Sequence, residues 1–409
     1  MRNPGLLPNN DAIGIEVLKN GVIDTQAGND TISGTGIGGF GYRNFGPPAI
    51  GISNTHGYIN GGDGNDLIKG SGAGIGDFTI SSSIGINNTQ YGRIDGGKGN
   101  DTIFGTVEGE GQADATGINN TQHSLIDGGK GNDTIFGTAV GTGYGISNNA
   151  TGIFNSGSSV ISGGFGNDSI TGIGKGGRGS LNPNGQDYSA WNGIGISNSQ
   201  GSVISTGQGN DLISGTGTGG AGDSVPAHPE IGIVPPGIGI GILNSATIDL
   251  GDGNDTIIGT GISKGTGILN TNGIIYEGAG ADILTGYGTS VGIQGGTIDG
   301  GTGNDYFKAR RIDANGNPVS NQGGDIADVL IKGGSGNDTF DVGYGNATID
   351  GGSGWDKLIL PDFKSDYIIT GSCHNYTVKR DQFTLNVLNV EQIDFLGVTP
   401  QHNVLRITH

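Results

Sequence analysis

IDGGKGNDTIFGT occupies residues 94–106 and returns, letter for letter, at 126–138. A catalytic centre has no use for a second copy of itself, so identity at a fixed offset points to a structure built by repetition. Working outward from the two copies, a Gly-rich corner ending in Asp recurs at Asp30, Asp66, Asp101, Asp133, Asp168, Asp211, Asp255, Asp282, Asp305, Asp338 and Asp356. A second motif, GIxN followed by Ser or Thr, supplies Asn54, Asn88, Asn120, Asn155, Asn198, Asn244 and Asn270. From each of these Asn residues to the next Asp is 11–13 residues, whereas from Asp to the next Asn the count runs from 15 to 33.

One constant arc and one variable arc is the signature of a parallel β-solenoid, an all-β fold in which each coil returns its strands to register but can eject a loop at one corner. Three short strands per coil are legible in DTIFGT, TGINNT and LIDGG, each with an aliphatic residue to point inward. Ile103, Ile118 and Ile126 and their equivalents are expected to stack as ladders about 4.8 Å apart. The stretches 174–191 and 219–237 fall in the variable arc and read as ejected loops. The recurrent Asn is expected to form a structural amide ladder along the rod.

Composition agrees. Gly and Pro make up 102 of 409 residues and hydrophobic residues only 32%, which suits a backbone with many tight corners better than a set of globular cores. Collagen is excluded, since glycine does not fall at every third position. The net charge of -19, concentrated at one place in the repeat, argues for a cation partner and against nucleic acid. A single cysteine, Cys373, excludes an intrachain disulfide framework. No stretch of 18 apolar residues suggests a transmembrane helix, and MRNPGLLPNNDAIG lacks the apolar segment of a cleaved signal, so export is expected to use another route.

The strict corner GGxGND places Gly61, Gly62, Gly64 and Asp66; Gly96, Gly97, Gly99 and Asp101; Gly128, Gly129, Gly131 and Asp133; Gly163, Gly164, Gly166 and Asp168; Gly300, Gly301, Gly303 and Asp305; and Gly333, Gly334, Gly336 and Asp338. Glycine permits positive φ and turns carbonyl oxygens to one side, where the Asp adds a carboxylate. Stacked corners would then offer the six to eight hard oxygens that suit Ca2+. The competing reading is a Gly-rich turn whose Asp caps its own backbone. Asp211, Asp255 and Asp356 are further candidate ligands, and TQAGND, TGQGND, LGDGND and EGAGAD, which each lose a consensus residue, are weaker calcium corners.

Residues 333–359, GGSGNDTFD VGYGNATID GGSGWDKLI, resemble the RTX (hemolysin-type calcium-binding) repeat family with its nonamer GGxGxDxUx, except that Ala347 stands where an Asp belongs. The resemblance implies a calcium-loaded parallel β-roll, carriage out of the cell by type I secretion, and an uncleaved C-terminal signal. The family's coil takes 18 residues, but the first seven corners here recur at 32–44, so one ladder of ions is expected along the rod, not two. The expected organisation is an arm at 1–11, a long-coil solenoid at 12–322, nonamers at 323–356 and, at 357–409, a small β cap that doubles as the candidate secretion signal.

Parallel β-helices also include lyases and epimerases of acidic polysaccharides. Here the six histidines, His56, His123, His228, His374, His402 and His409, have no metal-ligand spacing, and Arg310 and Arg311 beside Asp313 read as a solvated loop. An ice-binding face would need a regular Thr array, and the Thr positions are patchy. The reading that remains is a secreted, non-enzymatic structural protein of the cell surface or matrix, able to form homo-oligomers or head-to-tail filaments and to meet surface polysaccharide.

Overall fold

The computed structural model describes residues 12–38, 48–74, 82–109, 114–141, 149–178, 190–222, 235–319, 323–397 and 404–406. The 1–11 arm, most of both expected loops, and His228, His402 and His409 lie outside the described residues. Among the described residues the chain is β-structure with one short 3-10 turn at Lys364–Asp366 and no α-helix.

Each coil supplies three strands. In the coil of the first quoted copy these are Ser83–Thr89, Arg93–Lys98 and Thr102–Gly109; in the next they are Ala115–Thr121, Leu125–Lys130 and Thr134–Gly141. Every one lies parallel on its equivalent with identical residues in register: Ile86 on Ile118, Ile94 on Ile126, and Ile103 on Ile135. The first- and second-strand columns form one sheet and the third-strand column another. The arrangement is a parallel β-solenoid.

Alternation creates the core. Thr134–Gly141 buries Ile135, Gly137, Ala139 and Gly141 and turns Thr134, Phe136, Thr138 and Val140 outward, the period of two that a strand dictates. Three aliphatic columns result, containing among others Ile52, Ile86, Ile118 and Ile153; Ile59, Ile94, Ile126 and Ile161; and Ile68, Ile103, Ile135 and Ile170, all at most 1% exposed. Each buried Ile contributes about 1.5–3 kcal/mol. The prism is thin because glycine brings its walls together: a Cβ on Gly105 would collide with the Gly117 carbonyl oxygen, and one on Gly117 with the Thr138 amide.

Such a narrow core leaves buried corners that hydrogen bonds must satisfy. Asn54 Nδ2 donates to Asn88 Oδ1 at 2.8 Å, Asn88 to Asn120 at 2.9 Å, and Asn120 to Asn155 at 2.9 Å, after which the chain of amides continues through Asn198 and Asn244 to Asn270. All seven are fully buried. Each interior Asn also donates to a backbone carbonyl on the second strand of the next coil, as Asn88 does to Leu125 O at 2.9 Å. The amide ladder expected from the sequence is therefore present.

The C-terminal segment finishes the stack. Phe383–Leu388 lies parallel on Asn346–Ser353, and Gln392–Phe395 lies parallel on Lys357–Leu360, so both columns gain one more layer. Antiparallel strands then cover them: Asn375–Arg380 and Ile368–Ser372 on one side, Val404–Arg406 on the other. Tyr344, Tyr367 and Phe383 pack edge to face beneath this cover, with the Arg380 guanidinium 4.6 Å above the Tyr344 ring and paired to Asp362.

One sequence reading fails here. Arg310 and Arg311 end the strand Tyr306–Arg311 and are not in a solvated loop. Arg310 pairs with Asp341, and the Arg311 amide donates to Asp325 Oδ1 at 2.7 Å. The alternation of Phe307 and Ala309 inward was available in YFKARR, but two adjacent arginines obscured it.

Candidate metal centre

The corner stands between the second and third strands of each coil. Its second and fourth residues take left-handed backbone: φ is +110° at Gly97 and +124° at Gly99, +108° at Gly129 and +121° at Gly131. Gly62, Gly64, Gly164, Gly166, Gly301, Gly303, Gly334 and Gly336 do the same. Stacking adds a second demand for glycine, because a Cβ on Gly97 or Gly99 would fall inside the carbonyl oxygen of Gly62 or Gly64 in the neighbouring coil. The first glycine has ordinary φ but lies against its own Asp: a Cβ would be 2.8 Å from Asp66 Oδ2 at Gly61 and 2.9 Å from Asp101 Oδ2 at Gly96.

These turns bring the corner carboxylates into one continuous column. Asp101 Oδ1 accepts the backbone N–H of Asp66, Asp133 Oδ1 that of Asp101, and Asp168 Oδ1 that of Asp133, each at 2.7 Å. The same bond links Asp30 to Asp66 and then runs on through Asp211, Asp255, Asp282, Asp305, Asp338 and Asp356. It ends on Glu391, whose Oε2 accepts the Asp356 N–H at 2.7 Å. The corner Asn residues bond in the opposite sense, as Asn65 Oδ1 accepts from the Asn100 N–H at 2.8 Å. The Asp thus caps the adjacent coil and not its own backbone. Strict and degenerate corners take the same place in this column.

Only one oxygen of each carboxylate is used. Oδ2 is buried without a partner in all eleven corner residues from Asp30 to Asp356. Loss of solvent pushes Asp101 and Asp168 up to about 6 and Asp133, Asp255, Asp305 and Asp356 up to about 7, against the pull of the donated backbone N–H. Neighbouring acids add to the rise. Two charges about 5 Å apart, the rise of one coil, repel by ~3 kcal/mol at an effective dielectric of about 20. Summed along the column that exceeds the 5–15 kcal/mol by which domains are stable, so the ladder must hold either protons or cations at neutral pH.

The donor set fits a hard cation. Each strict corner brings one carboxylate oxygen per coil, and a calcium ion there would complete its shell from backbone carbonyls of the Gly-rich turn. Among the described residues a single group of three acids stands close enough to share an ion: Glu277, Asp282 and Asp305. Sequence reasoning missed both Glu277 and Glu391. Glu277 occupies the first-glycine position of EGAGAD, and EQIDF at 391–395 repeats the DTIFG pattern with Glu for Asp, so both signals were present. Of the histidines, His56 and His123 flank Tyr91 with ring centroids 5.8 and 5.1 Å away.

A parallel β-solenoid with a column of buried acids at Gly-rich corners defines a calcium-binding repeat protein. Comparison with protein-family models agrees: the RTX calcium-binding nonapeptide repeat, in four copies, matches residues 56–73, 93–106, 121–139, 155–172 and 332–360. The chain carries RTX repeats, and Ca2+ is the cofactor they imply. No curated protein matches the chain.

Proposed function

We propose that the protein is a secreted structural element of the cell surface or extracellular matrix, adhesive or sheath- and filament-forming, whose rod sets on meeting calcium, and that the strict corners from Gly61–Asp66 to Gly333–Asp338 hold the ions. The observation that carries this reading is the unbroken acid column with one buried, unpartnered oxygen per coil. Such a column opposes folding while it is charged and empty. Extracellular calcium modules work at ~10⁻⁴–10⁻³ M, and each ion at a hundred times its dissociation constant adds about 2.7 kcal/mol to the folded state. Folding would then follow export, by the type I route that the repeats suggest, and calcium would also remove the repulsion between rods of charge -19 that keeps them apart. Self-association and contact with acidic surface polysaccharide through bridging calcium belong to the same reading, with a role in catalysis the disfavoured alternative.

Thermal melting of the whole chain in calcium and in chelator is the test. A midpoint that rises steeply with calcium, and rises less in Asp101→Asn and Asp133→Asn, supports the reading. An identical midpoint in both buffers at pH 8 defeats it.

A further inference from the structure

The first position of the corner is where the chain departs most from its own pattern. It is glycine in the six strict copies, Thr206 and Leu250 in two consecutive coils, and then Glu277. Thr206 settles its hydroxyl by donating to Leu250 O at 2.8 Å, and Leu250 is fully buried and apolar. Glu277 has no such answer. It is 1% exposed, and neither Oε1 nor Oε2 has a hydrogen-bond partner. Asp282 Oδ2 and Asp305 Oδ2 are likewise buried and unpartnered, and among the described residues no Lys, Arg or His pairs with any of the three.

We propose that Glu277, Asp282 and Asp305 form a closed binding site for one calcium ion, the tightest in the molecule, at the corner least like the repeat. Each residue offers a carboxylate oxygen, and the three oxygens lie within 4.8 Å of one another. That span is what oxygens on opposite sides of an ion have when each is about 2.4 Å from it. A shared proton serves two oxygens. Four are unpartnered here, and a cation taking six to eight ligands serves all of them. Hard oxygen donors without nitrogen or sulfur select calcium over the transition metals. Three full charges bind more strongly than the single carboxylate oxygen per coil at the strict corners. Residues 277–305 lie outside every segment that the RTX repeat matches, and Glu277 belongs to no strict corner; Asp305 does, so for that ligand the inference rests on the calcium column proposed above.

The test is calcium titration of the full chain by native mass spectrometry and calorimetry in calcium–EGTA buffers, beside Glu277→Gln and Glu277→Leu. Gln keeps the shape without the charge, and Leu is the residue the preceding coil already buries at this position. The wild type is expected to hold one calcium at least tenfold more tightly than the rest. Gln should weaken that ion tenfold or more, Leu should abolish it, and far-UV circular dichroism of all three should match. If the other strict corners bind nothing, the single tight ion remains alone in the wild type; if they bind, the weaker class survives both substitutions. Equal affinity for the tightest ion in all three proteins overturns the proposal, as does a wild type with no class that depends on Glu277.

Discussion

Asp133→Asn separates the two roles of a corner carboxylate. In the metal-free fold at pH 8, Asp133 is ionised although its pKa has risen to about 7, because burial penalises the charge. At about 1.4 kcal/mol per pKa unit, holding that charge costs up to ~4 kcal/mol relative to the unfolded chain. Asn keeps an oxygen to accept the Asp101 N–H, which now bonds at 2.7 Å, and removes the charge. Against that gain stands a buried amide N–H₂ without a partner, worth about 1–3 kcal/mol. The net expectation in chelator at pH 8 is stabilisation by ~1–3 kcal/mol. At pH 5 the wild-type carboxyl is protonated and the advantage should vanish. In millimolar calcium the sign should invert, since the wild type gains its ions and the variant loses a ligand. Calorimetric melting across these three conditions is the assay. Asp133→Ala, which also strips the acceptor from Asp101, should be destabilising everywhere. A variant Asp133→Asn that melts below the wild type in chelator at pH 8 would refute the account of the column as a set of strained charges.

Three further outcomes follow from the same geometry. The column acids have pKa values raised to about 6–7, so the stability they lend is complete below the ordinary carboxyl range and is lost as pH rises through 6–7; the metal-free melting midpoint should fall between pH 5 and pH 8, and saturating calcium should flatten that slope. Asn120→Ala deletes an amide that donates to Asn155 Oδ1 at 2.9 Å and to Val160 O at 2.8 Å and accepts from Asn88, and should cost ~2–5 kcal/mol with or without calcium, read as loss of amide exchange protection in the flanking coils. Gly97→Ala puts a methyl group into the Gly62 carbonyl at a φ of +110°, and should lower the melting midpoint in both buffers more than any single-ligand change does.

Much of this was legible because the repeat exposes its own constraints. Gly97 and Gly99 are fixed by backbone handedness and by the neighbouring coil, so glycine recurs at both positions in every corner of the column except the first, where Gln26 takes the second position at a φ of +70°. The isoleucine columns and the Asn54–Asn270 ladder are legible for the same reason: a residue stacked on its own copy repeats at the coil period. What escaped was whatever replaces one member of a column. Glu391 takes the place of an Asp with one more methylene, and Glu277 takes the place of a glycine with a carboxylate; a search for consensus discards both. The Asp bond to the adjacent coil escaped differently. An Asp after a Gly turn has the same sequence whether it caps its own backbone or the next coil's, and only the stack decides between them.

The two ends of the rod bear on how copies of it can join. Parallel strand continuation from one molecule to the next requires an uncovered first coil and an uncovered last coil. At the C-terminal end the last layer, Phe383–Leu388 and Gln392–Phe395, is followed by antiparallel strands, and Glu391 closes the acid column with a residue that has no Asp beyond it. At the other end Ala12–Val17, Val22–Asp24 and Thr31–Gly38 are paired on one side only among the described residues, and Asp30 keeps a buried oxygen without a partner. Head-to-tail growth by strand addition would have to displace the cap, at the cost of the Tyr344–Tyr367–Phe383 packing and the Arg380–Asp362 pair. Among the described residues the first coil is the one uncovered end, and joining through first coils alone stops at two copies. On the function proposed above, larger assemblies are expected to grow side by side, through calcium between acidic flanks, and to dissolve in chelator. Sedimentation and negative-stain microscopy at millimolar calcium are expected to show pairs and lateral bundles; single-file filaments one rod wide would show that the cap opens and would overturn the argument.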